Sequence, residues 1–329
     1  MDTAFTILLS LRAPIMQAPM GGAAGPELAA AVSNAGALGS IPIWTVPPEE
    51  AAAIVSATLA LTQRPFAVNV RADLGQASHV RSALDAGVRL VHLFWGDPTP
   101  YVGAIRDAGA KVMVTVADAD EAKQALDAGA DVLIAQGWEA GGHVRGNLTT
   151  LALVPTIVDL AGPVPVLAAG GIVDGRGLAA ALALGAAGAV MGTRFVASVE
   201  SCAHPDYKEA IVKARQVDTV HTDSLFDRGW PNAPHRVLRN STYERWRAAG
   251  SPPRGNRPDE ADVVARRADG SPIPRYGVAT PRNGFVGDIE AMARYAGQGV
   301  EAVRQILPAA EIVGETLREA QYCLSRLPR

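Results

Sequence analysis

The stretch DAGADVLIAQG, Asp127 to Gly137, decides the architecture of this chain. An Ala-rich helical tail ends at Gly129, where a helix C-cap needs the left-handed backbone that glycine adopts without strain. The short aliphatic run Val132–Gln136 follows at once. Runs of this kind, apolar on both faces, are strands of a parallel sheet covered on both sides. The same phrase recurs as NAGALGSIPI from Asn34, DAGVRLVHLFWG from Asp85, DAGAKVMVTVA from Asp107 and ALGAAGAVMGT from Ala183, with Gly36, Gly87, Gly109 and Gly185 at the equivalent turn. Helix then strand, repeated, means parallel pairing. Along the chain the runs are Ile15–Met20, Leu38–Pro42, Phe66–Val70, Leu90–Phe94, Lys111–Val116, Val132–Gln136, Val164–Ala169 and Ala189–Met191. Eight such units predict a (β/α)8 TIM barrel rather than an open doubly wound sheet, because a closed barrel takes that number and leaves no edge.

Beyond Phe195 the repeat is lost. The chain carries most of its aromatics there, with FDRGWPNAPHR and SPPRGNRPDEADVVARRADGSP as polar stretches. We expect residues 1–200 plus 275–329 to form the barrel and 201–274 a smaller, mainly helical additional domain, with helices around Tyr207–Gln216 and Asn240–Ala248. Further helices are expected over Gly287–Tyr295, continuing with a break to Ile306, and over Ala309–Leu324. An excursion this long beside an active face is a lid or a substrate wall, or else plain surface decoration.

Composition narrows the function classes. With 329 residues, 48% hydrophobic and 19% charged, the chain has the makings of a large aliphatic core. A net charge of −3 gives no footprint for nucleic acid, and no basic run would hold a membrane surface. Cys202 and Cys323 are the only cysteines and form no CxxC, so neither a disulfide framework nor a thiolate metal site is indicated. The opening MDTAFTILLSLRAP has an acid where a signal peptide has basic residues, and we expect a cytoplasmic protein. The charge-poor segment Gly177–Thr193 divides into a helix, a stop at Gly185 and a strand, so no membrane span is expected.

Strand ends carry the chemistry of a barrel, and three of them run into glycine: AQGWEAGGHVRG after strand six, Gly170-Gly171 after strand seven and Gly192-Thr193 after strand eight. Glycine lets backbone N–H groups approach an anion, and the Thr193 hydroxyl adds a donor, so a phosphate site is expected there. Arg194 would add charge if it faced the same way. His143 follows two glycines at the mouth of strand six and is the candidate for proton transfer. Glu139 is either a second acid or a structural partner. Asn69 and Gln136, at the ends of strands three and six, either read the edge of a planar heterocycle or close a barrel layer. Gly175-Arg176-Gly177-Leu178-Ala179-Ala180 spells GxGxxA but lies beyond the strand-to-helix turn, with Asp174 already in the capping place, which argues against a dinucleotide fingerprint. P-loop, HExxH and GxSxG patterns are absent, and no metal site is expected.

PIMQAPMGG, FAVNV, AQGWEAGGH, PVLAAGGIVDGRG, GAVMGTRF, GWPNAPHRVLRN and YGVATPRNG with GDIEAMARYAGQ resemble the nitronate monooxygenase family, formerly the 2-nitropropane dioxygenases. The resemblance implies an FMN-dependent barrel that oxidises alkyl nitronates with molecular oxygen to carbonyl compounds and nitrite. It further implies that Ala18, Pro19 and Met20 border the flavin ring and that Asn69, Gln136 and Gly141 contact FMN. Gly171, Gly192 and Thr193 would hold its phosphate, beside the Gly170 of the anion site read above, and His143 would be the catalytic base or orient the nitro oxygens. Val190 stands where many relatives carry Gln, Thr115 where relatives often carry Gln or Lys, and Trp138 is bulky for its place, where it would narrow the pocket. Trp230, His235, Arg236, Tyr276 and Phe285 are candidates for the substrate wall. Two other functions fit the residues: an NAD(P)H-dependent flavin reductase of quinones or enoyl thioesters, and a flavin-free phosphate-binding barrel isomerase or aldolase.

Overall fold

The computed structural model of the protein describes residues 1–326. Eight parallel strands close into one ring: β1 (Ile15–Gln17), β2 (Gly39–Pro42), β3 (Phe66–Arg71), β4 (Leu90–Phe94), β5 (Lys111–Val116), β6 (Val132–Gln136), β7 (Val166–Ala169) and β8 (Gly188–Met191). Neighbours in sequence are neighbours in the sheet, and β1 pairs with β8 through Ile15 opposite Ala189. Gln17 N–H donates to the Leu38 carbonyl and Leu38 N–H to the Ile15 carbonyl, both at 2.9 Å, which shuts the last seam. The fold is therefore the expected (β/α)8 TIM barrel. Gly36, Gly87, Gly109, Gly129 and Gly185 all have positive φ, between 68° and 107°, so each repeat turns from helix to strand where its glycine stands.

Strand alternation separates two cores. Residues such as Val68, Val91, Val112 and Leu133 face the surrounding helices, whereas Ala67, Leu90, Met113, Val132, Ile134 and Leu167 fill the barrel. Phe5 and Leu9, from the helix Ala4–Leu9, complete the interior cluster and stopper the end where the strands begin. That accounts for the apolar patch near the start of the sequence. Asp174 does cap the helix Gly175–Ala183, accepting from Gly177 N–H at 3.0 Å. A Cβ on Gly175 would collide with the backbone of Thr316 and Ala320 in the last helix, Ala309–Ser325, so this glycine serves close helix packing.

Residues 201–274 contain the two expected helices, as Pro205–Lys213 and Ser241–Ala248, and also strands that sequence patterning did not disclose. Thr219–Thr222 and His235–Leu238 form an antiparallel sheet whose third strand is Gly142–His143, from the loop after β6. Val263–Arg266 pairs with Pro272–Pro274 and with Val286–Gly287.

The helix expected over Gly287–Tyr295 is not α-helical; only the short 3-10 turns Ile289–Ala291 and Gln298–Ala302 form on the way to Ile306. The carbonyls that such a helix needs are taken by the excursion. Asn240 Nδ2 donates to Glu290 O and Met292 O, Thr242 Oγ1 to Ala291 O, and Leu238 N–H to Arg294 O. Among the described residues no helix is long and apolar enough to cross a membrane.

Two glycines test this packing in opposite directions. At Gly39 a Cβ would fall inside the backbone of Ala29, so Gly39→Ala should lower stability by about 1–3 kcal/mol. Gly103, exposed within the helix Thr99–Asp107, has open space around it, and Gly103→Ala should raise stability by about 0.5–1 kcal/mol. Thermal or urea unfolding of the two variants measures both signs.

Candidate functional site

At the carboxyl ends of the strands lies a cavity of about 530 Å³, walled on its far side by the excursion. Its floor follows from register. Asn69, His92, Thr115 and Gln136 share the interior face with Ala67, Leu90, Met113 and Ile134, two residues further along β3, β4, β5 and β6. The aliphatic filling thus gives way to a polar arc on this side. Asn69 Nδ2 donates to His92 O at 3.0 Å, His92 Nε2 lies 2.6 Å from Thr115 Oγ1, and Gln136 Nε2 donates to His143 O at 3.2 Å.

The opposite side is small and bare. Ala18, Ala169 and Val190 line it, and Gly170 and Gly171 adopt φ of 115° and 72°. A Cβ on Gly170 would press on Thr150 Oγ1 at 2.8 Å and Gly137 O at 3.0 Å. Gly192 opens the turn Thr193–Val196. Thr193 Oγ1 accepts the Gly297 N–H at 2.9 Å, which leaves the hydroxyl hydrogen free to donate. Gly297 and Gly299 close down from the returning chain: a Cβ on Gly299 would strike the Gly171 carbonyl, and one on Gly141 would meet Ala296 C and Gly297 N at 2.5 Å.

His143 is held at the mouth by pairing with His235 across the small sheet, and its imidazole stacks on Trp230 with centroids 3.8 Å apart and planes 23° from parallel. Trp95, a non-glycine residue at φ 63°, meets it edge-on at 6.1 Å, and Tyr295 lies 5.5 Å away. The Arg71 guanidinium covers Trp230 at 3.3 Å and is gripped by Asp73 through two hydrogen bonds of 3.1 and 2.6 Å. His143 Nε2 is enclosed without a hydrogen-bond partner among the described residues. Burial, then the neighbouring His235 and the Arg71 charge, hold the His143 pKa well below the ordinary 6.5, so the ring is a neutral acceptor at working pH.

The residues nominated for proton transfer and cofactor contact all line this one cavity: Ala18, Pro19, Met20, Asn69, Gln136, Gly141, His143, Gly170, Gly171, Gly192 and Thr193. Of the proposed wall residues, Trp230 and Phe285 also line it. His235, Arg236 and Tyr276 stand behind the wall. His235 Nε2 accepts from Phe226 N–H while its Nδ1 lies 2.9 Å from Ala233 O; Arg236 donates to Trp138 O and lies over that ring at 4.1 Å; Tyr276 donates to Pro258 O. Trp138 therefore packs away from the cavity and does not narrow it. Glu139 accepts Thr150 N–H at 2.8 Å and Thr150 Oγ1–H at 3.0 Å, a structural role at the start of the helix Thr150–Ala161. Arg194 turns the other way and donates to Gln305 O. Missed from sequence were Trp44, Phe94, His92, Gly297 and Gly299, all on the cavity wall. Only the glycines carried a signal, in the pair spacing of AGQG.

A polar floor, a bare aliphatic side and a glycine cradle suit a planar heterocycle joined to a phosphate. The comparisons agree. The family model described as Nitronate monooxygenase matches residues 3–83 and 74–319. The chain is 35% identical over 367 aligned positions to the nitronate monooxygenase of Pseudomonas aeruginosa, covering 97% of this chain and 99% of that protein. It is 38% identical over 256 residues to the "(3aS,4S,5R,7aS)-5-hydroxy-7a-methyl-1-oxo-octahydro-1H-indene-4-carboxyl-CoA dehydrogenase" of Mycobacterium tuberculosis, covering 77% of this chain and 70% of that one. Among solved structures, FabK from Thermotoga maritima superposes with a TM-score of 0.82 at 35% identity, covering 99% of this chain and 98% of that one. Barrel, cavity and a match along nearly the whole sequence lead to one conclusion: the chain belongs to the nitronate monooxygenase family and is an oxidoreductase of the flavin-using kind.

Proposed function

We propose that the protein binds FMN in this cavity and oxidises alkyl nitronates with molecular oxygen to carbonyl compounds and nitrite. The observation that carries the reading is the convergence of the nominated residues on one cavity, with the glycine cradle at one end and the polar arc at the other. In this reading Gly170, Gly171, Gly192 and Thr193 hold the phosphate through backbone N–H groups and one hydroxyl. Ala18, Pro19 and Met20 border the ring, Gly141 approaches it closely, and Asn69 with Gln136 meets its polar edge. The flavin, when bound, supplies the electron transfer.

The chain's own part is to bind, orient and dry the substrate. Trp230, Trp44 and Phe94 exclude water above the floor. His143 lines the cavity as a neutral imidazole, whose N–H donates to a substrate oxygen or whose unprotonated nitrogen accepts the α-proton of a nitroalkane, while Arg71 adds positive potential for the anion. A second reading is favoured by Arg267 and Arg282, which line the mouth and form no ion pair among the described residues. Two guanidinium groups without a carboxylate partner, Arg267 donating only to Ser271 Oγ and Pro272 O, suit a phosphate-bearing molecule, as in an NAD(P)H-dependent reductase of quinones or enoyl thioesters.

Anaerobic mixing of the FMN-loaded protein with an alkyl nitronate, NADH and NADPH in parallel separates the readings. Bleaching by the nitronate alone is the expected result, and bleaching by a nicotinamide alone would move the assignment to the reductase.

His143→Ala should keep FMN and lose about 10²–10⁴-fold in kcat/KM on a neutral nitroalkane. The pH profile gives an independent check. Only the unprotonated imidazole accepts a proton, and its pKa is depressed, so activity on a nitroalkane should stay level as pH falls through 6.5 and fail further down. Trp230→Ala wets the ring and should move that acid limb up towards 6.5; a parent limb already at 6.5 would contradict the role given to burial.

A further inference from the structure

His92 sits within an aliphatic run on β4, yet it faces the cavity, 3% exposed, beside Thr115 of β5. Its Nε2 lies 2.6 Å from Thr115 Oγ1, and its Nδ1 is enclosed with no hydrogen-bond partner among the described residues. Two proton arrangements satisfy that short contact. If Thr115 donates to Nε2, the ring carries its hydrogen on Nδ1, as a buried donor with nothing to receive it. If Nε2–H donates to Thr115 Oγ1, Nδ1 keeps only a lone pair and the hydroxyl hydrogen must point elsewhere. An orphaned buried N–H is the rarer and costlier outcome, so the second arrangement is favoured. The contact with His92 is the one hydrogen bond of Thr115 Oγ1 among the described residues, which leaves the hydroxyl hydrogen for the cavity that both residues line.

We propose that His92 is a positioning residue that fixes Thr115 as a hydrogen-bond donor to the polar edge of the cofactor ring, a contact that strengthens as that edge gains negative charge on reduction. The inference rests on the flavin reading above and adds to it a determinant of the cofactor's potential. Burial pulls the His92 pKa down to about 3, so the imidazole acts as a neutral tautomer and brings no charge to the cavity. Asn69, through its 3.0 Å hydrogen bond to His92 O, ties the next strand to the same arrangement.

The test is the midpoint potential of the flavin-loaded protein, with the dissociation constant of oxidised FMN measured alongside on the same variants. Thr115→Val keeps the shape and removes the donor. It should weaken binding of reduced relative to oxidised flavin about tenfold, which for a two-electron couple is about 30 mV towards lower potential. Thr115→Ser should restore the parent potential. His92→Phe should reproduce the Thr115→Val shift, and the double variant should add nothing, because the imidazole acts through the hydroxyl. Parent-like potential in Thr115→Val overturns the proposal, as does a His92→Phe shift that persists in full on the Thr115→Val background. A parent protein that takes up no flavin overturns the cofactor reading and this proposal with it, whereas uptake with unchanged potentials in the variants overturns this proposal alone.

Discussion

The site depends on a short antiparallel pairing, Gly142–His143 against His235–Arg236. A loop leaving a barrel strand through two glycines has little of its own to hold a side chain in place. Here its backbone is made into a sheet strand, Val144 N–H continues the contact to Pro234 O at 2.8 Å, and Gln136 secures the His143 carbonyl from below. The excursion is thereby stitched to the mouth of β6, and Trp230 arrives against the imidazole as part of the same unit. Each hydrogen bond contributes only about 1 kcal/mol, but together they settle where the ring stands before any ligand binds.

Strand alternation supplies the other half. Because side chains on a strand repeat every second residue, one step from Leu90 to His92 or from Met113 to Thr115 turns a sealed aliphatic plug into a polar floor. The plug keeps water out from beneath, and the floor offers hydrogen bonds above. Trp95, just past the end of β4, adopts the left-handed region that a bulky residue avoids. That conformation brings its indole edge-on to both His143 and Trp230, at 6.1 and 5.0 Å, so the strain is stored where the aromatic wall meets the candidate base.

Much of this was readable because it was local. Each barrel repeat announces itself by a glycine whose positive φ ends a helix and by an aliphatic run that both cores require. The glycine cradle follows the same logic at the other end of the strands. His92 was not readable: inside LVHLF an interior-facing histidine looks like any strand residue until register places it beside Thr115. The segment from Gly287 to Tyr295 has a helical look, but Asn240 and Thr242, some fifty residues earlier, claim its carbonyls, and no local pattern records that competition. His235 and Arg236 share the aromatic and basic character of wall residues, and only the sheet pairing, with Trp138 packed under Arg236, reveals that they brace the wall from outside.

Arg71 keeps two contacts of different kinds: the face of Trp230 and the carboxylate of Asp73. The carboxylate holds the guanidinium independently of the indole, so the cation beside the candidate base stays paired whatever becomes of the aromatic stack.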